Sequence, residues 1–236
     1  MIKHKHSLSK QPYKLSASVS CMDLCNLERD IREVENADIE FFHFDVVDGQ
    51  FNQCIILGSP TLVAMREKTL LPIEVHIAAY KPELFIERFI KEGADYIAVH
   101  YEAMEKPRQI FDLISSFGAT PILAFRAETA PGKDFVELAA QVPWVLKLMV
   151  NPGFSGQKMQ PIALDHIKMM REEIINAGIN THIQADGNMH ISTIPDAVKA
   201  GADIFTGGTS GMFCGPKSIY ENAKDLLSCC HASGAL

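Results

Sequence analysis

The chain of 236 residues reads as α/β class, a single closed (β/α)8 TIM barrel. Three observations predict it. A short pattern recurs: Asn36-Ala37-Asp38, Gly93-Ala94-Asp95 and Gly201-Ala202-Asp203 each close a helical stretch and open an apolar one. Their aspartates lie 57 and 108 residues apart, two and four units of about 27–28 residues, a length that suits one strand, one helix and two short loops. Eight apolar, β-branched runs also alternate with eight runs of helical apolar spacing, with no linker-like break. Finally, imidazoles and carboxylates stand at several strand ends. A closed barrel brings those ends to one mouth, whereas an open doubly wound sheet, the runner-up, leaves them spread apart.

The elements follow in order. Strands are expected near residues 15–20, 40–46, 73–77, 96–99, 120–124, 144–150, 182–186 and 204–207. The second is the clearest: IEFFHFDVVDG, residues 39–49, is too rich in β-branched and aromatic side chains for a helix. Helices are expected over 23–36, 60–68, 82–92, 107–117, 133–141, 162–177, 194–200 and 218–229. Several begin with Pro or Asp near the first turn, an ordinary start signal. Residues 1–14 read as a short disordered N-terminal tail and 15–236 as the barrel, the catalytic domain.

Composition narrows the function. A net charge of −7, from 22 basic and 29 acidic residues, and the lack of a basic stripe argue against nucleic acid. They leave a phosphorylated small substrate open, because backbone amides hold phosphate whatever the global charge. No run approaches the roughly 18 apolar residues of a membrane span, and the first 14 residues lack the apolar stretch of a secretory signal. The six cysteines show neither zinc spacing nor a C-x-x-C pair, which suits a reducing cytoplasm.

His43 and Asp45 stand two apart, so they project from one face of the second strand. His76 sits in a short apolar strand, and Asp186 ends another before glycine. Polar groups on apolar strands need a partner, and His43, Asp45, His76 and Asp186 make a two-His, two-Asp candidate for one divalent ion. With no thiolate in the set, Zn, Mn, Fe and Co remain open. Asp45 and Asp186 come from distant strands, so they can face each other across a ligand. One carboxylate would remove a proton beside a carbonyl and the other return one to the opposite face. Two Gly-rich loops, residues 151–158 and 206–211, together with Gly187-Asn188, stand where such barrels bind phosphate.

Five segments taken together, Ser18-Val19-Ser20-Cys21-Met22-Asp23-Leu24, His43-Phe44-Asp45-Val46-Val47-Asp48-Gly49, Val75-His76, Asn151-Pro152-Gly153-Phe154-Ser155-Gly156-Gln157 and Ala185-Asp186-Gly187, resemble the ribulose-phosphate 3-epimerase family in order and over nearly the whole chain. The resemblance implies an isomerase that interconverts D-ribulose 5-phosphate and D-xylulose 5-phosphate through an enediolate. It implies His43, Asp45, His76 and Asp186 as metal ligands and Asp45 and Asp186 as acid/bases. Ser18 and His76 would contact substrate, and Gly153, Ser155, Gly156, Gly187, Asn188, Gly208 and Thr209 would line the phosphate and substrate loops. Such barrels are often symmetric oligomers, so a homo-oligomer is expected.

The chain departs from the family pattern at several points. Ala17 replaces the usual Pro, Asn188 replaces the second Gly of an Asp-Gly-Gly turn, and Val47, Ala78 and Leu148 replace three methionines that pad the reactive centre. Residues 21–24 and 208–213 look closer to an allulose-6-phosphate 3-epimerase branch, whose substrate is a six-carbon ketose phosphate. A non-catalytic phosphosugar-binding barrel is a further alternative. A lyase or synthase barrel is disfavoured, because the His/Asp quartet stands where its catalytic lysine would.

Other residues read more plainly. His100 is expected to be a packed, hydrogen-bonded histidine, Asp48 a turn cap and His182 structural. Glu74, two residues before His76, is a candidate to orient it. Lys147 and Arg126 would reach phosphate or form ion pairs, and Met169, Met170, Leu226 and Leu227 read as core.

Overall fold

The computed structural model of the protein describes residues 8–234. Nine strands alternate with eight helices among them. β1 (Lys14–Ser18), β2 (Phe41–Asp48), β4 (Ile73–Ala78), β5 (Tyr96–His100), β6 (Thr120–Phe125), β7 (Trp144–Leu148), β8 (His182–Met189) and β9 (Ile204–Gly207) are parallel, and β1 pairs with both β2 and β9. That double pairing closes the eight into a barrel. The ninth strand, β3 (Ile55–Ile56), is antiparallel to the top of β2 and was not expected, being two residues long. The helices α1 (Leu27–Glu35), α2 (Ser59–Arg66), α3 (Glu83–Glu92), α4 (Pro107–Ser116), α5 (Phe135–Ala139), α6 (Pro161–Ala177), α7 (Ile194–Ala200) and α8 (Ile219–Gly234) follow the barrel strands in turn.

Boundaries differ where local signals are weak. α1 starts four residues later than its apolar pattern, because Asp23 caps a preceding turn by accepting from the Cys25 amide. α5 keeps five of the nine expected residues. β8 runs three residues further than expected, through Gly187 and Asn188. The expected tail 1–14 lies partly outside the described residues, and β1 already includes Lys14. Ahead of it, Leu8 packs on the cluster inside the barrel and the Ser9 amide donates to Glu40.

The recurring Gly-Ala-Asp has a packing cause. A Cβ at Gly93 would lie 2.5 Å from the Arg66 stem, and one at Gly201 would lie 2.7 Å from that of Arg171. Glycine leaves room for an arginine from the preceding helix. Asp95 and Asp203 then accept from Arg66 and Arg171, each at 3.0 Å, and from the amides of Ile73 and Ile183 at the starts of β4 and β8. One device therefore joins helix, turn and neighbouring strand. The first copy has diverged: Asp38 is exposed, with a φ of +53°.

Two apolar layers hold the barrel. The larger lies between strands and helices. The smaller fills the interior with Phe41, Tyr96, Ile122, Trp144, Leu146 and Ile204, where Phe41 stacks on Trp144 with centroids 5.1 Å apart. Met170 and Leu226 are core as expected, and Leu227 packs at its edge. Met169 is instead 43% exposed, because it falls on the outer face of α6.

Candidate metal centre and active site

All four predicted ligands converge at the C-terminal mouth of the barrel. One ligand atom from each of His43, Asp45, His76 and Asp186 lies within 4.8 Å of the other three. His43 Nε2 is 3.0 Å from Asp45 Oδ1 and 3.5 Å from Asp186 Oδ2, and His76 Nδ1 is 3.1 Å from Asp45 Oδ1. The register explains this meeting. Asp45 of β2 is the Cα partner of His76 of β4, so adjacent strands bring them side by side. Asp186 arrives from across the barrel, where the β8–β9 pairing shifts register between Asp186 and Met189. Gly187 and Asn188 form that bulge with φ of +109° and +58°. A Cβ at Gly187 would lie 2.5 Å from Val150 Cγ2, so glycine is required there.

The donor set fits a divalent ion. Bonds of about 2.1 Å spread four ligand atoms over roughly 3 to 4 Å, so this cluster closes on an ion with small side-chain rotations. Both histidines also have their outer nitrogens engaged, as ligating imidazoles require. His43 Nδ1 is 2.6 Å from Glu74 Oε2, and His76 Nε2 is 2.8 Å from His100 Nε2. This corrects the expected role of Glu74, which orients His43 and not His76. The register is again the reason, since Glu74 is the partner of His43.

Burial and charge push the two aspartates apart. Burial alone would raise Asp45, but His43 and His76 outweigh it and hold the carboxyl far below the usual range. Burial pushes Asp186 up to about 6, with the Asp45 charge adding to it against His43. Burial disfavours charge on His43, yet Asp45, Asp186 and Glu74 together raise it well above the ordinary histidine value. Burial lowers His100 to about 4, leaving a neutral imidazole at neutral pH.

A cavity of about 690 Å³, counting the solvent at its mouth, opens over this cluster. Its wall includes Ser18, Asp45, His76 and Asp186, and above them Gly153, Ser155, Gly156, Gly187, Asn188, Gly208 and Thr209, so every residue proposed to touch substrate lines one space. Val47, Ala78 and Leu148 line it too. Val47 and Ala78 pack with Phe51 into a small apolar corner.

The site also uses residues that the sequence reading passed over. Ser20 donates to Asp45 Oδ2 at 3.2 Å, closer than Ser18 at 3.5 Å. Trp144 Nε1 and Gln184 Nε2 both donate to Glu74 at 3.0 Å. Gln184 stands two before Asp186 on one strand, so the period-two rule that paired His43 with Asp45 also marks it. The Trp144 contact crosses the barrel and has no local signal.

Other expectations resolve at the cluster's edge. His100 is buried and hydrogen-bonded, Asp48 caps the amides of Gln50 and Phe51, and His182 pairs with Asp203 away from the mouth. Arg126 stacks 3.8 Å over the Phe51 ring and pairs with Glu128 at 3.8 Å. Lys147 meets neither of its expected partners: it points outward, and Nζ donates to the carbonyls of Arg126 and Thr129 beside His166.

Comparison with known proteins gives this arrangement a family. A sequence profile of the ribulose-phosphate 3 epimerase family matches residues 14–213. The chain belongs to that family. It is 37% identical over 221 residues to ribulose-phosphate 3-epimerase of Methanocaldococcus jannaschii, covering 91% of this chain and 93% of that protein. To the enzyme of the same name from Eremothecium gossypii it is 33% identical, with 91% and 90% covered. The protein is thus an enzyme of the isomerase class, an epimerase. Among solved structures it is similar in fold to a 3-hexulose-6-phosphate synthase, with a TM-score of 0.61 at 14% identity, covering 92% and 99% of the two chains. A thiamine phosphate pyrophosphorylase from Pyrococcus furiosus shares the fold at a TM-score of 0.57 and 12% identity, with 94% and 97% covered. Among the described residues, no helix is long and apolar enough to cross a membrane.

Proposed function

We propose that the protein epimerises a ketose phosphate at C3, interconverting D-ribulose 5-phosphate and D-xylulose 5-phosphate with one divalent metal ion. The observation that carries this reading is the meeting of two carboxyl groups from distant strands, Asp45 and Asp186, with His43 and His76 in one cluster within 4.8 Å at the wall of the cavity. Epimerisation needs such a pair. The Asp45 carboxylate takes the C3 proton from one face of the sugar, and the Asp186 carboxyl gives its proton to the opposite face. The reverse reaction exchanges the roles. Ser18 and Ser20 hold Asp45 by donating to its second oxygen. An ion held by His43, Asp45, His76 and Asp186 supplies positive charge against the oxygens that turn negative as the proton leaves. Backbone amides around Gly153, Ser155, Gly156, Gly208 and Thr209 suit the phosphate, because glycine lets an anion approach the main chain closely. The six cysteines are all unpaired, in keeping with a reducing cytoplasm.

Asp45→Asn and Asp186→Asn are each expected to abolish solvent-deuterium incorporation at C3 in at least one direction. Turnover is expected to fall by about 10²- to 10⁴-fold. Full turnover in either variant refutes the two-base scheme.

A second reading rests on the wall of the cavity. Val47 and Ala78 leave more room than methionines would, while Leu148 matches one in volume, and the added room favours a six-carbon ketose phosphate such as allulose 6-phosphate. After metal reconstitution, a side-by-side assay of ribulose 5-phosphate and allulose 6-phosphate decides between the two by their kcat/KM ratio. Failure to turn over either sugar, with no metal retained, would favour a phosphosugar-binding role.

A further inference from the structure

We infer that His100 and Glu102 are positioning residues that dictate which nitrogen His76 offers to the metal. The inference deepens the proposed metal site and rests on it. Its basis is a line of short contacts leading away from the cavity. His76 Nδ1 faces Asp45 within the cluster, while His76 Nε2 lies 2.8 Å from His100 Nε2. On its other side, His100 Nδ1 lies 3.1 Å from Glu102 Oε2. The second Glu102 oxygen accepts the Arg126 amide at 2.8 Å, which fixes the carboxylate at the end of the line.

A hydrogen bond between two imidazole nitrogens needs one N–H and one lone pair. Glu102 accepts, so His100 carries its proton on Nδ1 and presents a lone pair at Nε2. His76 must then place its own proton on Nε2 and donate it to His100. The lone pair of His76 Nδ1 is thereby left facing the cluster. One partly buried carboxylate thus selects two tautomers in series, and the second is the one a ligand needs. Geometry restrains the rings as well: the His76 and His100 centroids are 4.9 Å apart, and Phe51 packs on His100 at 4.7 Å. His43 has no such relay, because Glu74 accepts from it directly.

The test reads tautomers and affinity, not only turnover. Without an ion, Asp45 at 3.1 Å competes for a proton on His76 Nδ1, so the test uses the metal-loaded chain. Long-range ¹H–¹⁵N correlation spectra of the Zn²⁺-loaded wild-type chain are expected to show His76 bound through Nδ1 with its proton on Nε2, and His100 protonated at Nδ1. His100→Phe keeps a ring but removes the acceptor, and is expected to weaken Co²⁺ binding by about 10- to 100-fold, as loss of an outer-sphere partner does. His100→Gln restores an acceptor oxygen and should bind Co²⁺ within a few-fold of wild type (an order-of-magnitude expectation). His76 bound through Nε2, or His100 protonated at Nε2, in the Zn²⁺-loaded wild type overturns the inference, whatever the variants do. So does a folded His100→Phe that binds Co²⁺ as tightly as wild type. A wild-type chain that takes up no Co²⁺ removes the metal site itself, a failure distinct from wild-type uptake with the wrong tautomer.

Discussion

His43 and His76 carry the same ring to the same cluster, yet they present different nitrogens to it: Nε2 from His43 and Nδ1 from His76. The outer partner makes the difference, a carboxylate for one and a second imidazole for the other. Glu74 is the more heavily used. It is buried and accepts from His43, Trp144 and Gln184 at once. Glu74→Gln puts an amide N–H where one of those donors points, so at least one contact becomes donor against donor. The expected result is a loss of about 1–3 kcal/mol in stability and about 10- to 100-fold in metal affinity. Urea unfolding of the variant and a Co²⁺ titration read the two effects separately. Unchanged values in both would show that Glu74 is a spectator.

At the scale of one element, β8 does the most for the site. Its bulge turns the chain at Gly187 and Asn188 just after Asp186 and shifts the pairing with β9. Asn188 stands at a φ of +58°, which asparagine tolerates better than most residues. Gly187, at +109° and against Val150, has no such latitude. Gly187→Ala is expected to cost roughly 1–3 kcal/mol and to lower kcat by displacing Asp186. Asn188→Gly should leave stability within about 1 kcal/mol of the parent. Chemical denaturation of the pair checks both. Equal stabilities in the two variants would mean the bulge carries no strain.

Across the whole molecule, the outer shell braces the mouth from behind. Lys147 is buried between the barrel and α6, holding the carbonyls of Arg126 and Thr129, while the Arg126 amide holds Glu102. Burial lowers its amine to about 8 from an ordinary 10.5, against the pull of Glu102 and Glu128. Between those two values the unfolded chain binds the proton that the folded chain has released, so stability contributed by this group rises with pH through that window. Relative to Lys147→Met, the wild-type protein is expected to gain about 1 kcal/mol between pH 7 and pH 9. Parallel unfolding curves at the two pH values measure it. A flat or falling difference would place the ammonium in a solvated setting.

The sequence by itself determined the alternation of strands and helices, because apolar period and β-branching are local properties. It also marked His43 with Asp45, since alternate positions on a pleated strand share a face, and Asp186 as a carboxylate that ends a strand before glycine. The Gly-Ala-Asp repeat was legible as a spacing, but not as the arginine clamp that explains it. Only the tertiary structure decided that Glu74 serves His43, that Trp144 reaches Glu74, and that His100 stands behind His76. Those contacts run between strands 24 to 70 residues apart. Their register is set by barrel closure and the bulge in β8, which depend on the packing of the whole sheet and leave no mark on any single strand.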